Sequence, residues 1–83
     1  MSQFDKLISK IMAMDADMRL EELEKVLAYY GYEKHLPSGG SSHYTFRKPG
    51  KMPITIPKHK PIKLIYVKKV KKIVEGEMAD EDA

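Results

Sequence analysis

The chain has no cysteine and no tryptophan. Without thiols, neither disulfides nor thiolate metal sites are available, so packed side chains alone must hold a small core together. No apolar run approaches the roughly 20 residues that a membrane-spanning helix needs. The start, Met1-Ser2-Gln3-Phe4-Asp5, lacks the basic and apolar regions of a secretory leader, and a cytosolic protein is the expectation. The three histidines stand at no metal-ligand spacing, so no metal site and no cofactor are expected. No repeat of solenoid length is visible. One further absence is regional: residues 34–72 contain no acidic side chain at all.

What is present is sorted charge. The 83 residues, enough for one small domain, carry a net +3. Residues 1–33 sum to −3, residues 34–72 to +11 and residues 73–83 to −5. A 39-residue stretch of unopposed positive charge is the footprint of a polyanion binder, with a solvated lysine surface as the plain alternative.

Apolar periodicity divides the chain. Phe4, Leu7, Ile8, Ile11, Met12 and Met14 follow one helical face, predicting an amphipathic helix over 3–14 that packs onto the domain. Asp15, Ala16 and Asp17 offer a break and a second cap. Leu20, Leu23, Val26, Leu27 and Tyr30 predict a helix over 18–30, stopped by Gly31. The period then becomes alternating. Strands are expected at 32–36, 43–48 and 52–57, joined by a glycine- and serine-rich turn and by Pro49-Gly50-Lys51. A three-residue loop at 49–51 pairs Phe46 with Ile54 and Tyr44 with Ile56, so that the apolar faces coincide. Pro53 and Pro57 share one parity, which makes the third strand an edge strand and the order 1-2-3. His43, Thr45, Arg47 and Thr55 then point away from the core. Glu33 and His35 join them if the first hairpin keeps even pairing, and His35 could lie opposite His43. Tyr66, Val67, Val70, Ile73 and Val74 predict a last helix over 65–76, with Ile62 and Leu64 as candidate core residues before it. Gly76 and the acidic end are expected to fray.

The fold class is therefore α+β: α-β-β-β-α with an extra N-terminal helix, two helices covering one face of a three-stranded antiparallel sheet. The expected divisions are a helical extension at 1–16, the domain at 17–75 and an acidic tail at 76–83.

This order, with a basic final helix, is similar to the double-stranded RNA-binding domain. Two words narrow the resemblance. Gly39-Gly40-Ser41-Ser42-His43-Tyr44-Thr45-Phe46-Arg47-Lys48-Pro49-Gly50 and Ile54-Thr55-Ile56-Pro57-Lys58-His59-Lys60 resemble the signature of the HicA toxins, over about residues 18–75. The resemblance implies a small bacterial endoribonuclease that cleaves mRNA without a metal cofactor and is neutralised by a HicB antitoxin. It implies that His43 is the catalytic histidine. Many relatives carry a second histidine where this chain has Tyr44.

The chemistry is compatible with those residues. RNA supplies its own nucleophile, the 2′-hydroxyl, and histidine suits either proton role. Arg47 could clamp a phosphate bidentately. Lys48, Lys58 and Lys60 could add point charge, with His59 as a phosphate contact. The Gly39, Gly40, Ser41 and Ser42 loop could offer backbone N–H groups to a phosphate. Lys68, Lys69 and Lys72 could follow an RNA backbone. Two other functions remain open on the residues alone. One is a non-catalytic RNA-binding module of the same architecture; the other is a protein-interaction domain whose basic segment meets an acidic partner. A tail of −5 laid over the +11 segment would weaken non-specific RNA binding.

Overall fold

The computed structural model describes residues 3–36, 43–58 and 62–82, the side chains of 81 and 82 excepted. The element order is α1 (Gln3–Met12), α2 (Leu20–Tyr29), β1 (Glu33–His35), β2 (His43–Arg47), β3 (Ile54–Pro57) and α3 (Leu64–Asp82). The strands form one antiparallel sheet in the order β1-β2-β3. Phe46 pairs with Ile54 and Tyr44 with Ile56, the register that the short 49–51 turn dictates. Pro57 lies in β3, at the edge of the sheet, where its missing N–H leaves no central ladder bond unmade.

Local chemistry ends the first two helices in the same way. At the end of α2 the Gly31 N–H donates to the Ala28 carbonyl and the Tyr32 N–H to the Leu27 carbonyl, both at 3.0 Å. Gly31 turns the chain at φ +91°, a conformation that costs a glycine little. At the end of α1 the Met14 N–H donates to Ile11 and the Asp15 N–H to Lys10, again at 3.0 Å. Here a methionine takes the left-handed position, φ 56°, and its side chain packs against the core. The break between α1 and α2 is where the aspartates mark it, but they do not cap α2. Asp15 Oδ1 accepts from the Asp17 N–H at 2.8 Å and shapes the turn. The cap position belongs to Arg19, whose N–H donates to Glu22 Oε1 at 3.0 Å.

The core sits between the helices and one face of the sheet. Leu20, Leu23, Val26 and Leu27 of α2, Val67, Val70 and Val74 of α3, and Phe46, Ile54 and Ile56 of the sheet are all buried. Ile11, Met18, Tyr30, Tyr32 and Ile62 complete it. α1 packs against α2 and α3, with the Phe4 ring 4.1 Å from that of Tyr29, centroid to centroid. The Ile62 N–H donates to the Met18 carbonyl at 3.1 Å, tying the approach to α3 onto the α1–α2 connection. Leu64, a candidate core residue, is exposed. It is the first residue of α3, one turn before the buried part of the stripe begins at Val67.

Two expectations are corrected. The acidic end is helical: α3 runs on through Gly76 to Asp82 instead of stopping near 76. The reason is the stripe itself, since the 67, 70, 74 spacing next falls on Glu77, which is buried with 7% of its surface exposed. The second correction concerns the first hairpin. Its pairing is even, but His35 stands opposite Thr45, not His43, with Glu33 opposite Arg47.

Candidate nucleic-acid interface

Alternation along β2 decides which groups face outward. Phe46 is inward and buried; His43 and Arg47 are outward and exposed, with Thr45 half-buried between them. The outward neighbours follow from the register. Glu33 flanks Arg47, His35 and Thr55 flank Thr45, and Pro57 flanks His43. The Thr45 and Thr55 hydroxyls lie 3.3 Å apart. The face opposite the helices is thus built of histidine, hydroxyl and guanidinium groups, which can exchange protons, hydrogen-bond and bind phosphate.

At one end of this face a shallow cleft of about 300 Å³ is lined by Glu33, Arg47, Lys48, Pro49, Lys51 and Pro53. Both lysines of this lining have partners. Lys48 Nζ donates to both carboxylate oxygens of Glu77 at 2.8 Å each, and Lys51 Nζ donates to Asp80 Oδ2 at 3.0 Å. Lys48, expected as a phosphate contact, therefore has its charge balanced inside the fold. Lys51 is held above its ordinary pKa by the hydrogen bond and charge of Asp80. The Lys48–Glu77 pair also borders Tyr32, whose phenol is pushed up by burial and then by the Glu77 charge. The acidic end of α3 thus reaches back onto the basic β2–β3 turn.

The other cations divide by location. Lys69 and Lys72 share a groove with Met52, Pro53, Ile54 and Thr55, beside the β3 edge. Lys68 lies elsewhere, with Met14, Lys71, Lys72 and Glu75 toward α1. Lys58 Nζ lies 5.8 Å from the centre of the Tyr44 ring, and Lys34 Nζ lies 4.3 Å from it. Lys34 is also 2.7 Å from Glu24, whose hydrogen bond raises the lysine's pKa. Gly39, Gly40, Ser41, Ser42, His59 and Lys60 lie outside the described residues.

Sequence reasoning missed Glu77 as a partner. The signal was present, because Glu77 falls on the helical stripe of Val70 and Val74, where a carboxylate demands a buried cation. Among the described residues, no group of three or more His, Asp or Glu side chains could hold a metal ion. Likewise, no helix there is long and apolar enough to cross a membrane.

Residues 20–75, which span α2 through most of α3, match the family model described as HicA toxin of bacterial toxin-antitoxin. The match leaves out α1 and the last turns of α3. No curated protein and no solved structure matches the chain.

Proposed function

Because the chain belongs to the HicA toxin family, the toxin half of a bacterial toxin–antitoxin pair, we propose that it is an endoribonuclease that cleaves mRNA, with His43 as a proton-transfer group on the open face of the sheet. The single observation carrying this reading is the shared face: His43 is exposed at the start of β2, and Arg47 is exposed on the same side four residues on.

The reaction is a transesterification. The 2′-oxygen of the ribose attacks the adjacent phosphorus, the bond to the 5′-oxygen of the next nucleotide breaks, and a 2′,3′-cyclic phosphate and a 5′-hydroxyl result. One proton leaves O2′ and one arrives at O5′. The nucleophile comes from the substrate, so no metal-bound water is required. His43 serves one of the two transfers, worth about 10²–10⁴-fold in rate. Four residues of strand separate Arg47 from His43 by roughly 13 Å, so Arg47 holds a flanking phosphate and not the scissile one. Lys58, Lys69 and Lys72 extend the positive surface. The protein partner in this reading is a HicB-like antitoxin.

The test is a comparison of wild type with His43→Ala, scored for cleavage of an mRNA and for binding to it. Cleavage lost with binding kept supports the assignment; equal cleavage by both sinks it. A wild type that binds RNA and leaves it intact returns the protein to a non-catalytic binding module. A wild type without RNA affinity even at low salt points to an acidic protein partner, since phosphate-dominated binding is strongest there.

A further inference from the structure

One histidine accounts for one proton, and the reaction moves two. In-line displacement puts the entering and leaving oxygens on opposite sides of the phosphorus. The groups that serve them must therefore stand apart, each within about 2.6–3.2 Å of its own oxygen.

The sheet register supplies such a group. His35 of β1 is opposite Thr45 of β2, and His43 is two residues before Thr45 on the same strand. Both histidines therefore occupy the open face, on adjacent strands and one diagonal step apart. Diagonal neighbours of an antiparallel pair stand about 7–8 Å apart, enough to admit a phosphodiester between two imidazoles. Thr45 completes the triangle with a hydroxyl able to donate to a non-bridging phosphoryl oxygen. Among the described strand residues, the other charged groups on this face are Glu33, beside His35 on β1, and Arg47, opposite Glu33 on β2. Glu33 Oε2 lies 3.9 Å from His35 Nε2, beyond hydrogen-bond distance, so the carboxylate is a neighbouring charge beside the ring. Half of the His35 side chain is exposed, so an RNA strand lying on the sheet can reach it.

We propose that His35 is the second proton-transfer group, paired with His43 across β1 and β2, one as base toward O2′ and the other as acid toward O5′. This rests on the ribonuclease reading above and assigns the half of that reaction which His43 cannot perform alone.

The experiment uses the full chain under single-turnover conditions on an RNA oligonucleotide. A second copy of the substrate carries sulfur in place of the bridging 5′-oxygen, because a thiolate leaves without a proton. His35→Ala is expected to lose about 10²–10⁴-fold in cleavage with RNA binding unchanged. His35→Gln, which keeps polarity and approximate size, is expected to be equally impaired. The wild-type rate should fall on both sides of a pH maximum, and each alanine variant should lose one side. The sulfur substrate should restore the variant that lacks the acid and not the other. Wild-type cleavage by His35→Ala, with His43→Ala inactive, overturns the pair and leaves the His43 reading standing. Full activity in His35→Gln alone, or rescue of neither variant, also overturns it. Undiminished cleavage by His43→Ala overturns both readings.

Discussion

Lys48 and Glu77, 29 positions apart in the chain, meet with the lysine ammonium 2.8 Å from each carboxylate oxygen. The pair joins the end of β2 to the distal turns of α3. Three-quarters of the lysine side chain and nine-tenths of the glutamate side chain are shielded from water. Removing one partner from such a pair leaves an uncompensated charge in poor contact with water. Glu77→Gln should therefore destabilise the fold by about 2 kcal/mol, less than a fully buried pair because Lys48 keeps some water. The check is a urea titration, with a lower midpoint and an unchanged slope. Replacing both, Lys48→Met with Glu77→Leu, should restore most of the loss; a double variant as unstable as the single one would contradict the account.

Lys51 and Asp80 form the exposed counterpart of that pair. Exposed pairs contribute little to stability, so Asp80→Asn should leave the denaturation midpoint where it is. Its effect should appear on RNA, since it releases a cation beside Arg47. Affinity at low salt should rise, and the gain should shrink as salt is added. Identical binding isotherms at low salt would refute this balancing of charge.

Gly31 and Gly76 should respond to alanine in opposite directions. Gly31 has φ +91°, and its position has ordinary room for a Cβ, the nearest atom being Lys48 Cε at 3.7 Å. The penalty there is backbone strain, and Gly31→Ala should cost about 1–2 kcal/mol. Gly76 lies inside α3, and a Cβ added there would meet nothing within 4 Å, so Gly76→Ala should stabilise by about 0.5–1 kcal/mol. Thermal melts of the two variants, read against wild type, test both signs.

Glu22 supplies a pH dependence. Burial alone would raise its pKa, but the Arg19 N–H and the Lys10 ammonium at 3.0 Å outweigh that and hold the carboxyl below its ordinary value. A carboxyl depressed in the folded state contributes stability above its unfolded pKa, and that contribution disappears as pH falls through the folded one. Wild type should thus be more stable than Glu22→Gln at neutral pH, with the gap closing below about pH 4. Denaturation midpoints across a pH series would show it; a gap that stays constant into acid would not fit.

The three strands and the register of the second with the third were legible because their signals are local. The Pro49-Gly50-Lys51 turn, the parity of Tyr44, Phe46, Ile54 and Ile56, and Pro57 of the third strand act within a few residues of one another. Gly31 was legible for the same reason. The acidic end was not, because glycine and a run of carboxylates read as a frayed terminus. Only a lysine 29 positions away turns Glu77 into a core residue. The histidines divide likewise. The turn-and-strand word singled out His43. The partner opposite His35 depends on a glycine-rich hairpin whose loop length alone does not set the pairing.

The edges of the sheet carry a last consequence. One edge, β3, contains Pro57, and the other, β1, is three residues long. Among the described residues, neither presents the long row of free donors and acceptors onto which another chain could add a strand. The sheet is thereby guarded against self-templated stacking. The faces are then the broader surfaces for a neutralising protein to grip, and the open one holds His43.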